Sequence, residues 1–294
     1  NRTRKIMQLI SKEKFIQRGL HRFMSEEEER LLTRKVFKIL QEVRLKGDLA
    51  VRKFTREFDG VDLSLKRLRV TEGDINRAFE KVDQPFIALL KQVKENAIPY
   101  YEKEMQKNYR INLKDGAYLE KRYSPLDRVG IYIPSGTAPL ISTVYMTVIP
   151  AMVAGVKEIV ICSPPNRETG YIDPNILTVA NLFGGKEIYR VGGAQAIAAM
   201  AYGTKLINKV DKIVGPGNQY VAEAKRQVYG FVDIDMVAGP SEVVILADNT
   251  ADPDLITCDL LAQSEHFNGV GILVTDSKKI TDTLRKRIET GYII

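Results

Sequence analysis

From Val129 onward the chain repeats one pattern: a short apolar strand, a loop rich in Gly, Pro, Ser or Thr, then a helix. Val129-Gly130-Ile131-Tyr132-Ile133 is closed by Pro134-Ser135-Gly136-Thr137 and leads into a helix over about 140–154. Glu158-Ile159-Val160-Ile161-Cys162 is closed by Ser163-Pro164-Pro165, and Asp173-Pro174 then supplies an N-cap and a first-turn proline for a helix that stops at Gly184-Gly185. Glu187-Ile188-Tyr189-Arg190 runs into Gly192-Gly193-Ala194-Gln195 and a helix over 196–202. Lys212-Ile213-Val214 runs into Gly215-Pro216-Gly217-Asn218, and a helix carrying Tyr220, Val221, Ala224 and Val228 follows, ending at Gly230. Strands alternating with helices across short loops predict a parallel sheet covered by helices. Right-handed crossovers place the C-terminal ends of such strands on one edge, and ligands bind at that edge.

The loops PSGTAP, SPP, VGGAQ and GPGNQ should therefore converge. Glycine lets backbone approach a ligand, and the following helix N-terminus favours an anion. That suits a dinucleotide or another phosphorylated compound. The residues alone leave the ligand open. Tyr220 stands where a full G-x-G-x-x-G would carry its third glycine, and no Walker A pattern is present.

A second segment of the same texture begins after Ala238-Gly239-Pro240-Ser241-Glu242, with a strand over 243–246. Asp252-Pro253 caps a helix reaching about Glu265, and 271–276 reads as a further strand. Gln263 and His266 lie three residues apart and share a helix face. That spacing fits metal ligands, and it equally fits a polar helix end with a histidine placed against the dipole. Residues 1–116 read as mainly helical scaffold: Ser25 with Glu28 forms a capping-box pattern, Thr71 is an N-cap, and Asp83-Gln84-Pro85 starts another helix. The alternating Tyr118–Tyr123 reads as a strand.

The net charge of +7 is uneven, since residues 1–120 hold 27 basic against 19 acidic side chains. Interspersed acids and the lack of an aromatic-studded basic stripe favour solvated helix faces over a nucleic-acid surface. No apolar run reaches the ~20 residues of a membrane span, and no signal peptide is evident. Cys162 and Cys258 stand far apart in apolar contexts, which argues for a reducing compartment and against a thiolate metal site.

The segments VGIYIPSGTAPLISTVYMTVIPAMVAGVKEIVICSPP, VGGAQAIAAMAYGT, VDKIVGPGNQYVAEAKRQVYG, DMVAGPSEVVILAD and DLLAQSEH closely resemble the histidinol dehydrogenase family. The likeness runs in order from about residue 25 to 276, and departs at Ser135, where the family usually has a second glycine. The resemblance implies two incomplete Rossmann-like α/β domains. Residues 117–236 would form the NAD side and 237–294 the start of the substrate and zinc side, with the helical segment 1–116 packed on the second domain. It implies a zinc-dependent enzyme of histidine biosynthesis that oxidises L-histidinol to L-histidine. Two NAD would act in succession through a bound aldehyde. By motif, Tyr132, Gln195 and Asn218 would contact NAD, Ser241 the substrate, and Gln263 and His266 both zinc and substrate. A cytoplasmic homodimer sharing residues between its sites is implied as well.

The family's catalytic Glu-His pair, in a Pro-Glu-His-Leu context, and its two downstream zinc ligands have no counterpart here. Glu265-His266 belongs to the zinc motif, and the chain has only two histidines. No catalytic residue is therefore assigned, the chain is expected to be inactive by itself, and it is expected to be part of a longer enzyme. The alternatives are a related zinc- and NAD-dependent dehydrogenase of another polar alcohol, or a non-catalytic NAD-binding or subunit-binding fragment.

Overall fold

The computed structural model describes residues 10–11, 14, 25–135, 139–238, 242–264 and 269–290. Two compact units divide the chain, Glu26–Ala238 and Gly239–Ile294 with Asn1–Ser25.

The first unit begins with helices. In α1 (Glu26–Lys46), four glutamates occupy the first turn and Arg44 and Lys46 the last, each sign suited to the helix dipole. Leu32, Val36, Ile39, Leu40 and Val43 recur at helical spacing and form its buried stripe. Next comes α2 (Asp48–Phe54), which passes into a π-helical turn, Thr55–Asp59. A short α3 (Leu65–Leu68) precedes α4 (Glu72–Phe79), whose N-terminus carries a complete capping box between Thr71 and Asp74. The long α5 (Gln84–Glu104) follows. The strands β1 (Tyr109–Asn112) and β2 (Tyr118–Lys121) then form an antiparallel hairpin, with every residue exposed. The sequence pattern shows β2 but places β1 inside the helical stretch.

The remainder is the expected alternation: β3 (Arg128–Tyr132), α6 (Ile141–Val153), β4 (Glu158–Ser163), α7 (Pro174–Leu182), β5 (Glu187–Arg190), α8 (Gly193–Tyr202), β6 (Lys212–Val214), α9 (Gln219–Val228) and a two-residue β7 (Asp233–Ile234). All five strands are parallel, in the order β5-β4-β3-β6-β7. Strand order reverses between β3 and β6, so the crevice between their C-terminal ends is the topological switch point.

Strand alternation divides the core into two layers. Tyr132, Val160, Cys162 and Tyr189 pack with α1, α2, α8 and α9. Ile131, Ile161 and Ile188 point the other way and pack with α4, α5, α6 and α7. The structure buries the apolar faces of the N-terminal helices in these two layers of the first sheet. Helix α8 is buried on all sides from Ala194 to Ala201, and its alanines let neighbouring backbones come close. Gly130 of β3 leaves room for the Met200 side chain of this helix: a Cβ there would lie 2.6 Å from Met200 Sδ.

In the second unit, β8 (Glu242–Leu246) and β9 (Val270–Val274) pair in parallel, accompanied by α10 (Pro253–Ser264) and α11 (Lys278–Thr290). Ile256, Leu260, Ile280 and Leu284 form its small core. Among the described residues no helix is long and apolar enough to cross a membrane.

One buried ion pair ties α4 to the sheet. Arg190 and Asp74 meet at 2.6 Å with side chains 3% and 7% exposed, and Arg190 also donates to the carbonyls of Arg67 and Arg69. Burial acts to raise the pKa of Asp74, but donors on Thr71 and Arg190 outweigh it and hold the carboxyl at about 2. Its folded pKa is depressed, so its contribution is complete above the usual carboxylate value near 4 and is lost as pH falls toward 2. Asp74→Asn should cost about 3 kcal/mol at neutral pH, because it leaves the buried Arg190 without a counter-charge. Chemical unfolding at pH 7 and pH 3 checks this: the gap between wild type and variant should shrink at the lower pH.

Candidate functional site

The C-terminal ends of β3, β4, β5 and β6 gather polar groups at the switch-point edge. Tyr132, the last residue of β3, is 3% exposed, and its hydroxyl accepts the Gly193 N–H at 3.0 Å. Burial pushes the Tyr132 phenol well above its ordinary pKa, so it stays protonated. Gln195, in the first turn of α8, is wholly buried. Its Nε2 reaches Asp59 Oδ2 at 3.4 Å, while its Oε1 has no hydrogen-bond partner. The same Asp59 oxygen accepts the Gly192 N–H at 3.4 Å. Thus the loop after β5, the end of β3 and the π-helical turn meet around one carboxylate.

The loop after β6 is held by a buried lysine. Lys225, on α9 and 1% exposed, donates to the Gly215 carbonyl at 3.0 Å and to the Asp235 carboxylate. Asp235 in turn accepts the Gly215 N–H at 2.8 Å. Gly215 has φ +111°, and a Cβ there would overlap the Tyr132 carbonyl oxygen. Only glycine lets β6 turn this close to β3. Asn218 is exposed and caps α9: its Oδ1 accepts the N–H groups of Tyr220 at 3.0 Å and Val221 at 3.1 Å. The cap is structural work, done on a loop beside the Tyr132 strand end.

Of the residues read from the sequence, Tyr132 and Gln195 come together through the Gly192-Gly193 loop, and Asn218 stands on the next strand-end loop. Ser135, the departure from the family pattern, makes a β-bridge with Pro139. Gln263 is buried in the last turn of α10. Ser241 and His266 lie outside the described residues. Asp59, Lys225 and Asp235 are not found by sequence reasoning. Nothing in the local pattern around Asp59 links it to Gln195.

A dinucleotide fits this edge: Gln195 Oε1 is an orphaned buried acceptor at the start of α8. For zinc the described residues do not suffice. They include Gln263 alone of its expected ligands, and no group of three His, Cys, Asp or Glu side chains that could hold a metal.

Fold and edge define a doubly wound α/β protein with glycine-bearing loops at its switch point. The family model for histidinol dehydrogenase matches residues 23–292, and the chain belongs to that family. It is similar to the histidinol dehydrogenase of Geobacillus kaustophilus, 48% identical over 257 residues, covering 87% of this chain and 60% of the relative. It is also similar to that of Listeria innocua, 50% identical over 256 residues, covering 85% of this chain and 59% of the relative. The crystal structure of histidinol dehydrogenase from Elizabethkingia anophelis superposes with a TM-score of 0.81 at 39% identity, over 88% of this chain and 60% of that one. The chain thus spans about 60% of the length of the relatives it matches.

Two glycines separate backbone strain from steric contact. Gly215 and Gly230 both have positive φ, 111° and 97°, but a Cβ at Gly230 would meet nothing within 4 Å. Gly230→Ala should cost about 1 kcal/mol, the strain of the dihedral alone. Gly215→Ala should cost clearly more, since strand ends must also separate. Thermal unfolding of the two variants measures the difference.

Proposed function

We propose that the whole protein to which these residues belong oxidises L-histidinol to L-histidine, with NAD bound at the switch-point edge of the first unit. The observation that carries the reading is the convergence of Tyr132, Gln195 and the Gly215 loop on one sheet edge, in a chain of this family. NAD supplies the hydride acceptor when bound. The chain's own residues bind and orient it. Gln195 presents a buried acceptor, the glycine loops offer backbone at close range, and Asn218 stiffens the start of α9. The buried Tyr132 hydroxyl fixes the position of the Gly193 N–H. Rigid placement of this kind lowers the ordering cost of the reaction.

On the substrate side, Ser241 would contact histidinol, and Gln263 and His266 would supply donors for both zinc and substrate. A cytoplasmic homodimer completes the reading. The exposed apolar side chains of the β1–β2 hairpin, Tyr109, Ile111, Tyr118 and Leu119, support a protein partner there, because a lone hairpin is marginal in water. With its two histidines at His21 and His266, this chain offers no second histidine beside the zinc motif for proton transfer. We infer that it binds NAD without turnover.

Fluorescence titration with NADH tests the first part: saturable binding is expected, weakened about tenfold, ~1.4 kcal/mol, by Gln195→Ala. Absence of binding by the wild-type chain would sink the reading. NADH formation from L-histidinol tests the second part. It is expected from the whole protein and lost in His266→Ala, whereas full activity in that variant would refute the zinc role of His266.

A further inference from the structure

We propose that Asp59 is a further residue of the cofactor site, accepting a hydroxyl of the adenosine ribose and turning away a 2′-phosphate. This rests on the NAD reading above and adds a specificity determinant to it.

Asp59 ends the π-helical turn after α2, and such turns occur often at functional sites. It stands against two strand-end loops at once. A Cβ on Gly192 would lie 2.7 Å from Asp59 Oδ1 and 2.7 Å from Pro164 Cβ. Pro164 follows β4 and Gly192 follows β5. In doubly wound dinucleotide folds the first three strands in sequence bind the adenosine half. The ribose diol is taken there by an acidic side chain beyond the second strand. Here β3, β4 and β5 are those strands, and the carboxylate arrives at the same place from an N-terminal helix instead.

The hydrogen-bonding inventory calls for a donor. Both contacts to the carboxylate, from Gly192 and Gln195, use Oδ2 and are long at 3.4 Å; no described residue donates to Oδ1. Beside it, the Gln195 amide reaches Asp59 through Nε2 while its own Oε1, wholly buried, is unpartnered. Two acceptors side by side match the two O–H donors of a vicinal diol. A phosphate monoester on that ribose would bring charge of the same sign and remove one donor. Arg167 is the cation facing Asp59, and the protonated Tyr132 is the other titratable neighbour.

Burial also pushes the Asp59 carboxyl up to about 6, against the smaller opposing effects of the Gly192 N–H, Arg167 and Gln195. A folded pKa above the usual value near 4 means that ionising Asp59 costs stability as pH rises from about 4 to 6. A group kept for stability would not be held this way. Asp59→Asn should therefore leave the melting temperature at pH 8 unchanged or higher while it alters ligand choice.

Calorimetric titration of the 294-residue chain at pH 8 with NADH, NADPH, 5′-AMP and 2′-deoxy-5′-AMP tests this. The wild type should prefer NADH to NADPH and 5′-AMP to its 2′-deoxy form, each by at least about fivefold. Asp59→Asn should bring both ratios toward one, and Asp59→Glu, which keeps the charge, should retain part of the NADH preference. Ratios unchanged in Asp59→Asn, or a wild type that does not distinguish the two nucleotide pairs, overturns the role of Asp59 and leaves the NAD site standing. A wild type that binds none of the four overturns both.

Discussion

The close approach of β6 to β3 is the constraint on which the rest of this edge depends. Gly215 lies so near the Tyr132 carbonyl that no side chain fits between them. The turn is then locked from below by Lys225 and Asp235, which take the Gly215 carbonyl and N–H. A buried lysine is costly unless it is paired and hydrogen-bonded, and here it is both. The Gly215 turn is therefore held by the protein's own groups.

The same edge is supported from the outer layers. Apolar residues of α1 and α2 share a core with α8, and α8 carries Gln195. The π-helical turn that follows α2 delivers Asp59 to the Gly192 loop. The N-terminal helices are thus more than a cover: one supplies the floor of the edge and the other a polar group at its rim. On the opposite face the Arg190–Asp74 pair fixes α4 to β5, directly before that loop.

The sheet was legible in the sequence because its signals are local. Short apolar runs with glycine- and proline-rich closures mark β3 to β6, and Asp173, Asn218 and Thr71 announce helix starts that the structure bears out. What was not legible depends on distance along the chain. An amphipathic stripe such as Leu32 to Val43 says which side chains are buried, not against which sheet. β7 has only two residues, too few for a pattern to show. Asp59 joins a site built from residues far downstream, and only the tertiary contact with Gly192 and Gln195 marks it.

The central claim is that the ends of β3, β4, β5 and β6 form a dinucleotide site. A crystal structure of the chain soaked with NADH tests it most directly. The account predicts electron density for the dinucleotide along these strand ends, with backbone of the Gly192–Gly193 and Gly215–Gly217 loops at its side and Gln195 in contact. Ordered dinucleotide at any other surface, with these loops empty, would contradict it.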